Sequence, residues 1–380
     1  MIKRTVYQAE HEQFRDSVRR FLAAEVVPCH EQWESDGQVD RALWNKAGEQ
    51  GLLCPTVPEE YGGVSADFRY NAIIDEEIAT LQLSGLGWAV HSDIAVPYML
   101  HYCSEELKQK FLPGCVTGEI VTAISMTEPG AGSDLQGITT TAVKDGDDYV
   151  INGSKTFVTN GQHADLVIVV AKTDPEAGAA GTSLVLVEAD RPGFERGSNL
   201  KKIGMKAQDT SELFFNDLRV PRSNLMGNEG EGFVYLMQEL PQERLSVAIS
   251  GITASEAVLG YTVDYVKERQ AFGRPLAAFQ NTQFKLAELD TEITSARVFV
   301  DRCLELHVDG ELDVPTAAKA KLLVSELQGR VVDECVQLHG GYGYMSEYPV
   351  ARAYVDARIQ RIFAGSSEVM KIIISRALMG

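Results

Sequence analysis

Residues 121–220 decide the fold. They read VTAISMT (121–127), TTTAVK (139–144), YVING (149–153), KTFVTNG (155–161), DLVIVVAKT (165–173), TSLVLVEAD (182–190) and ELFFNDLRV (212–220). Each segment is short and rich in Val, Ile, Thr and Phe, the residues that suit a pleated surface. Asp145-Gly146, Asn152-Gly153 and Asn160-Gly161 mark tight turns. Strands so closely spaced, with no helical pattern between them, predict a small barrel or sandwich and not a βαβ sheet. DPEAGAAGTS (174–183) is a loop between two of them.

Outward from this block the period changes. On the N-terminal side Phe14, Val18, Phe21 and Leu22 recur at helical spacing in EQFRDSVRRFLAAEVV. Further helical stretches cover 42–51 and 70–82. SEELKQKFLPG (104–114) is a fourth, with Ser104 as N-cap. On the C-terminal side, long amphipathic runs occupy 242–269, 279–308 and 316–338, punctuated by Gly310 and Pro315. The expected fold is α+β. An N-terminal helical domain (1–120) precedes a middle β-barrel domain (121–230) and a C-terminal four-helix-bundle domain (231–380).

Composition narrows the function. The 380 residues are 44% hydrophobic and 23% charged, which is globular, and the length suits two or three domains. A net charge of −19 repels nucleic acid and anionic membranes. No apolar run is long enough to span a bilayer, and MIKRTVYQAEHEQF lacks the apolar stretch of a secretory signal. Cys29, Cys54, Cys103, Cys115, Cys303 and Cys335 form no CxxC pair, and the seven histidines form no metal-ligand pair. No metal site is expected, and the thiols suit a cytoplasmic chain.

Four segments carry possible chemistry. In SMTEPGAGSD (125–134), glycines and small hydroxyl residues at a strand end let backbone N–H groups approach a flat or anionic ligand. An ordinary glycine loop explains it equally well. Phe157-Val158-Thr159-Asn160-Gly161 is either a hairpin or a strand end facing a ring system. Arg269, Phe272 and Gln280 suit a phosphate and a planar group, or a solvated helix end. Gln337-Leu338-His339-Gly340-Gly341 supplies a helix C-cap, with more glycine than a cap needs.

The combination and order of SMTEPGAGSD, ERQAFGRPL (268–276) and QLHGGYGYMSEYPVARAYVDARIQRIFAGSSEV (337–369) resemble the acyl-CoA dehydrogenase family of flavoenzymes over essentially the whole chain. QELPQERL (238–245), TEPGAGSDLQGI (127–138), KAQDTSELFF (206–215) and EYPVARAYVDARIQ (347–360) resemble its long-chain branch. The resemblance implies FAD, an acyl-CoA substrate, an electron-transfer flavoprotein as acceptor and a homotetramer. It implies cofactor contacts from Ile124, Ser125, Met126, Thr127, Gly132, Ser133, Phe157, Val158 and Thr159, and from Ser366, Ser367 and Glu368. Arg269, Phe272, Gln280, Gln337, Leu338, His339, Gly340 and Gly341 would reach the dinucleotide, in part from a neighbouring subunit. Ser133, Val234, Pro241, Gln242, Arg244, Ala364 and Gly365 would touch the substrate. Met126, Trp88 and residues 84–87 are candidates for the acyl tunnel.

The reaction the resemblance implies is α,β-dehydrogenation of a medium- to long-chain acyl-CoA to the trans-2-enoyl-CoA. A base takes the Cα proton while a hydride leaves Cβ for flavin N5. The α C–H of a thioester is a very weak acid, so the base must touch it and the carbonyl oxygen must be hydrogen-bonded. Many family members carry a glutamate near the C-terminus, where this sequence has Ala364 in Phe363-Ala364-Gly365-Ser366. Other members place it on a C-terminal-domain helix, and Glu243 in QELPQERL matches that position. Glu239, four residues earlier, is the competing carboxylate. Pro241 predicts a kink or a helix start. The Ala364 N–H, with a flavin hydroxyl, would form the oxyanion site. Alternatives are a branched-chain or carrier-protein-bound substrate, an oxidase or monooxygenase on the same fold, and a non-catalytic flavin-binding subunit.

Overall fold

The computed structural model describes residues 2–380. Six helices come first: α1 (Ala9–Phe21), α2 (His30–Asp36), α3 (Ala42–Glu49), α4 (Arg69–Thr80), α5 (Val96–Tyr102) and α6 (Glu105–Thr117). Ser104 caps α6, its side chain accepting from Leu107 N, and Gly118 ends it at φ 75°. A π-helical stretch (Val90–Ala95) leads into α5 and brings Asp93 inward.

Eight strands follow: β1 (Thr122–Ser125), β2 (Thr141–Asp145), β3 (Asp148–Thr159), β4 (Leu166–Lys172), β5 (Thr182–Glu188), β6 (Phe194–Asn199), β7 (Thr210–Pro221) and β8 (Leu225–Met226). They form one sheet in the order β6-β7-β3-β2-β4-β5-β8, with β1 pairing parallel to β4. The expected barrel is therefore an open sheet. Closure would need β8 to pair with β6, but β8 is two residues long and leads at once into the next helix. β2 and β4 meet through one residue pair, Thr141 and Lys172. The two halves of the sheet fold towards each other there without closing.

β4 and β5 are buried on both faces, and the alternation of their side chains shows why DLVIVVAKT is unbrokenly apolar. Val167, Val169, Val185 and Val187 enter the core of the β domain. Leu166, Ile168, Val170, Leu184 and Leu186 enter the core of the N-terminal helices. One strand pair thus joins two domains without a linker.

The remaining chain is mostly helical: α7 (Gly232–Glu268), α8 (Gln280–Val308), α9 (Val314–His339), α10 (Pro349–Ala357) and α11 (Ser367–Met379), with a short antiparallel pair, Gln270–Ala271 and Arg274–Pro275, between α7 and α8. α7 packs on α8, α9 and also α4, and α9 packs on α10 and α11. Of the kink or helix start expected at Pro241, the start lies instead at Gly232, with the proline inside the helix. Tyr235, Leu236, Glu239 and Leu240 already form a buried face ahead of the proline, and the helix tolerates the missing N–H. All six cysteines are unpaired. Among the described residues, no helix is long and apolar enough to cross a membrane, and no His/Cys/Asp/Glu group could hold a metal.

A buried ionic cluster locks the helical domains together. Glu76 of α4 accepts from Arg4 at 2.6 Å, Arg15 at 2.8 Å and Arg297 of α8 at 3.2 Å, and Arg4 also donates to Asp301 at 2.7 Å. Burial alone would raise the Glu76 pKa, but Arg4 and Arg297 overcome it and hold the group at about 2. Its folded pKa lies below the ordinary carboxylate value. The stability it contributes is complete above that ordinary value and is lost as pH falls towards 2. Glu76→Gln should therefore cost about 3–5 kcal/mol at pH 7, read as a lower denaturation midpoint, and the deficit should shrink as the two proteins are compared at increasingly acid pH. A neutral substitution at pH 7 would show that the cluster does not hold the domains.

Candidate active site

Glu243 lies on the α7 face turned towards the N-terminal helices and is 4% exposed. Its Oε1 accepts one hydrogen bond, from Tyr98 OH of α5 at 2.9 Å. Burial raises its pKa to about 7, against the opposing pull of the Tyr98 hydrogen bond and the nearby Arg244 charge. A carboxylate of this kind is about half ionised at neutral pH and under-solvated when charged, which makes it a strong base for its type.

Glu243 faces a cavity of about 320 Å³ bounded by all three domains. Residues 82–90 and Ile94 form the N-terminal wall. Ile124, Phe157 and Thr159 come from the sheet. Phe363 and Ala364 come from the segment before α11. On α7 the stripe Glu243, Ser246, Val247, Ser250 and Ala254 lines the cavity at helical spacing, a run of about 16 Å at ~1.5 Å per residue. Trp88, Ser84, Leu86 and Gly87 line it as expected. Met126 does not; it packs against the core of the N-terminal helices.

The expected flavin-side residues divide. Phe157 is 66% exposed at φ 58° and presents an open apolar ring to the cavity beside Ile124 and Thr159. Val158 points into the β core, and Ser125 Oγ donates to Ile168 O at 3.2 Å, so both side chains are structural. Thr127 is half-buried, with its carbonyl accepting from Thr156 N, while Gly132 and Ser133 are exposed at the loop tip. The loop is stapled by Glu128. Its carboxylate accepts from Thr139 N, Thr139 Oγ1, Thr140 N and Lys155 Nζ at 2.6–3.0 Å. The sequence reading passed over Glu128 and Lys155, because their pairing spans a hairpin.

Behind Ala364 the backbone is firmly held. Ala364 and Gly365 are left-handed, at φ 50° and 94°. Lys321 Nζ donates to Gly365 O at 2.7 Å, and burial lowers the Lys321 pKa to about 8. Ser366 caps α11, and Ser367 Oγ donates to Glu326 at 2.6 Å. Glu368 is exposed. Arg244 is almost fully buried, its Nε has no hydrogen-bond partner, and burial lowers its pKa.

The competing carboxylate is engaged elsewhere. Glu239 Oε1 accepts from Tyr102 OH at 2.8 Å and lies 2.7 Å from His101 Nδ1. Gln242 is likewise tied down, donating to Asp93 O and pairing with His307 at 3.0 Å. Pro241 is half-buried and Val234 exposed, and neither lines the cavity.

Arg269, Phe272 and Gln280 are exposed, Phe272 at 96%, and the Arg269 guanidinium sits over the Tyr342 ring. Gln337, Gly340 and Gly341 are exposed nearby, Leu338 is half-buried, and His339 is buried and stacked on Tyr265. Arg269 directly follows α7, about 39 Å from Glu243 at ~1.5 Å per residue. Within one chain these residues and the cavity do not meet.

Tyr98 escaped the sequence reading because nothing in VPYMLHY marks a hydroxyl aimed at a residue 145 positions away. The same holds for the seam beside the base. Ser246 Oγ lies 2.5 Å from Asp75 Oδ2 and 2.9 Å from Asp93 Oδ2, and Asn71 donates to Asp93 at 2.7 Å. Burial and the charge of Asp93 push the Asp75 pKa well up.

Known proteins match this chain from end to end. The family model for the acyl-CoA dehydrogenase N-terminal domain matches residues 8–119, that for the middle domain 123–218 and that for the C-terminal domain 230–379. The chain is 53% identical over 378 residues to the mitochondrial long-chain specific acyl-CoA dehydrogenase of Sus scrofa, covering 99% of this chain and 88% of that protein. It is 37% identical to the mitochondrial isovaleryl-CoA dehydrogenase of Oryza sativa over 98% and 92% of the two chains. The crystal structure of an acyl-CoA dehydrogenase from Geobacillus kaustophilus superposes with a TM-score of 0.97 at 52% identity, covering 99% of this chain and all of that one. Matches of this extent, in the same domain order, make the chain a member of the acyl-CoA dehydrogenase family, FAD-dependent oxidoreductases with roles in fatty acid oxidation.

Proposed function

We propose that the chain dehydrogenates medium- to long-chain acyl-CoA thioesters to trans-2-enoyl-CoA, with Glu243 as the base. The observation that carries this reading is the isolation of Glu243: a carboxylate with one hydrogen bond, a pKa raised to about 7, and a cavity in front of it. Ala364 lines that cavity with a left-handed backbone, which suits presenting an N–H and no side-chain acid. The stripe of small residues beyond Glu243, with Ile78, Leu83, Leu86, Val90 and Ile94 also lining the cavity, suits an extended acyl chain.

The residues fit the family's cofactor. Phe157, Ile124 and Thr159 offer a flat, open face to a ring system, which a packed core would not leave exposed. FAD, when bound, supplies the hydride acceptor. The chain does the rest. Glu243 Oε takes the Cα proton, and Tyr98 keeps the carboxylate oriented. The Ala364 N–H stabilises charge on the thioester oxygen. The seam of Asn71, Asp75, Asp93 and Ser246 closes one wall against water. Arg244 lies outside the cavity lining, behind Gly365, and its Nε is short of a partner; it is the proposed cation for a polar part of the substrate. Arg269, Phe272 and Gln280, together with residues 337–341, serve the cofactor of a neighbouring copy in a homotetramer. An electron-transfer flavoprotein is the proposed acceptor.

Anaerobic titration with saturated acyl-CoAs of graded length should bleach the flavin fastest at medium to long chain. No bleaching at any length would remove the dehydrogenase reading. Glu243→Gln should keep the flavin spectrum and lose roughly a thousandfold in kcat. It should also be more stable than the wild type above pH 8. A folded pKa raised above the ordinary carboxylate value means that ionised Glu243 destabilises the fold, by roughly 3 kcal/mol for a shift to about 7. That advantage should vanish near pH 4, where both states are protonated.

The rate should climb with pH through about 7 as Glu243 ionises. Tyr98→Phe removes the one hydrogen bond that favours the charged form, so its rising limb should move to higher pH. The rate at pH 6.5 should fall about tenfold and largely recover above pH 8. A uniform loss across pH would mean that Tyr98 is merely structural.

A further inference from the structure

The acyl cavity has a direction. Glu243 and Ala364 mark the reacting end. On α7 the lining continues through Ser246 and Ser250 to Ala254, about 16 Å away at ~1.5 Å per residue. α4 runs alongside in the same sense: Asp75 bonds Ser246, and Thr80 O accepts from Tyr261 further on. Gln82, just past the end of α4, therefore lies beyond Asp75 on the side away from Glu243. Gln328 of α9 also reaches this part, its Oε1 sitting against Gly251.

These two glutamines lack the partners that Asp75 and Ser246, also in the lining, find in each other. Gln82 is 7% exposed, and neither its Nε2 nor its Oε1 has a hydrogen-bond partner. Gln328 is 5% exposed and its Oε1 is also without a partner. A buried carboxamide left unsatisfied is expensive, and native proteins seldom keep one without use. Gln82 carries a second cost: its backbone is left-handed, at φ 55°, a conformation glycine adopts freely and glutamine does not. Leucine or methionine would fill the same volume in a plain hydrocarbon tunnel without the polar penalty.

We propose that the far end of the tunnel receives a hydrogen-bonding group on the acyl chain, and that the group is a hydroxyl. The inference rests on the acyl-CoA dehydrogenase reading. A hydroxyl both donates and accepts, and so satisfies both the Oε1 and the Nε2 of Gln82. A terminal carboxylate does not fit. Among the described residues no lysine, arginine or histidine lines the cavity, whereas Asp75, Asp356 and Glu243 do. Ile78, Leu83, Leu86, Val90, Ile94 and Val247 supply apolar lining, and Asp75 and Ser246, on the way from Glu243, are already bonded to each other, so Gln82 is the carboxamide left free on both its atoms.

The test uses the FAD-loaded enzyme and two series of straight-chain acyl-CoAs, medium to long, one unsubstituted and one with a hydroxyl on the terminal carbon. In an apolar tunnel the buried hydroxyl lowers kcat/KM tenfold or more at every length. Here the penalty should fall below threefold, or reverse, at the one length that reaches Gln82, and stay at tenfold or more for shorter chains. Gln82→Leu should restore the tenfold penalty at that length, read as the ratio of the two series so that any general change in activity cancels. Gln82→Gly relieves the left-handed backbone, so it should melt at or above the wild-type temperature and lose the same preference, which separates the role from folding. Calorimetric binding of both series to Glu243→Gln should show the same length-dependent pattern without turnover. A wild-type enzyme that penalises the hydroxyl tenfold at every length would overturn the inference and assign the glutamines to ordered water. So would a preference that Gln82→Leu does not change. If neither series bleaches the flavin, the dehydrogenase reading fails and takes the inference with it.

Discussion

The structure turns on keeping one carboxylate dry. Glu243 has a single hydrogen bond, and no one element of the fold could shield it. Its cavity borrows a wall from the N-terminal helices, a face from the sheet and a floor from the C-terminal helices. The domains must therefore stay in register. The means are visible: β4 and β5 are buried on both faces, Glu76 gathers three guanidiniums from separate segments, and the Asp75–Ser246–Asp93 seam ties α4 and the π-helical stretch to α7. The raised pKa of Glu243 is the local sign of a global fit.

Backbone strain collects in the same place. Of the left-handed residues other than glycine, Gln82, Phe157, Met205 and Ala364 all line the cavity. Each comes from a different segment, and each holds a side chain or an N–H where an ordinary turn would not aim it. Met205 is held by the Asp356 carboxylate accepting from its backbone N–H. Surrounding contacts overdetermine these conformations, which is how such positions survive selection for stability.

Much of this was legible in the sequence, and the reasons for success and failure differ. Helix and strand texture is local, so the three-part order and most element positions followed from period alone. The absence of an acid at Ala364 and its presence at Glu243 were readable from linear motifs. Closure of the sheet was not, because it depends on whether β8 meets β6, and β8 is two residues long. The start of α7 was missed because Pro241 looked decisive locally, while tertiary burial of Tyr235 to Leu240 outweighed it. Tyr98, Ser246 and Gln82 act through partners or spaces assembled from distant segments. No spacing rule reports a hydrogen bond between residues 98 and 243. Met126 shows the converse: it lies inside a well-matched motif, yet it faces the helical core.

α7 is one continuous helix that carries the base in its N-terminal third, with the exposed Arg269 corner beyond its C-terminal end. A dinucleotide that takes contacts from both must take them from two chains. Under the proposed arrangement, in which the Arg269 corner serves a neighbouring copy's cofactor, cofactor retention and chain association would obey one mass-action equilibrium, each raising the apparent affinity of the other. Dilution by itself would then be a way to strip the flavin, and added flavin a way to hold the assembly together. On that arrangement the length of a single helix would make catalytic competence a property of concentration as well as of folding.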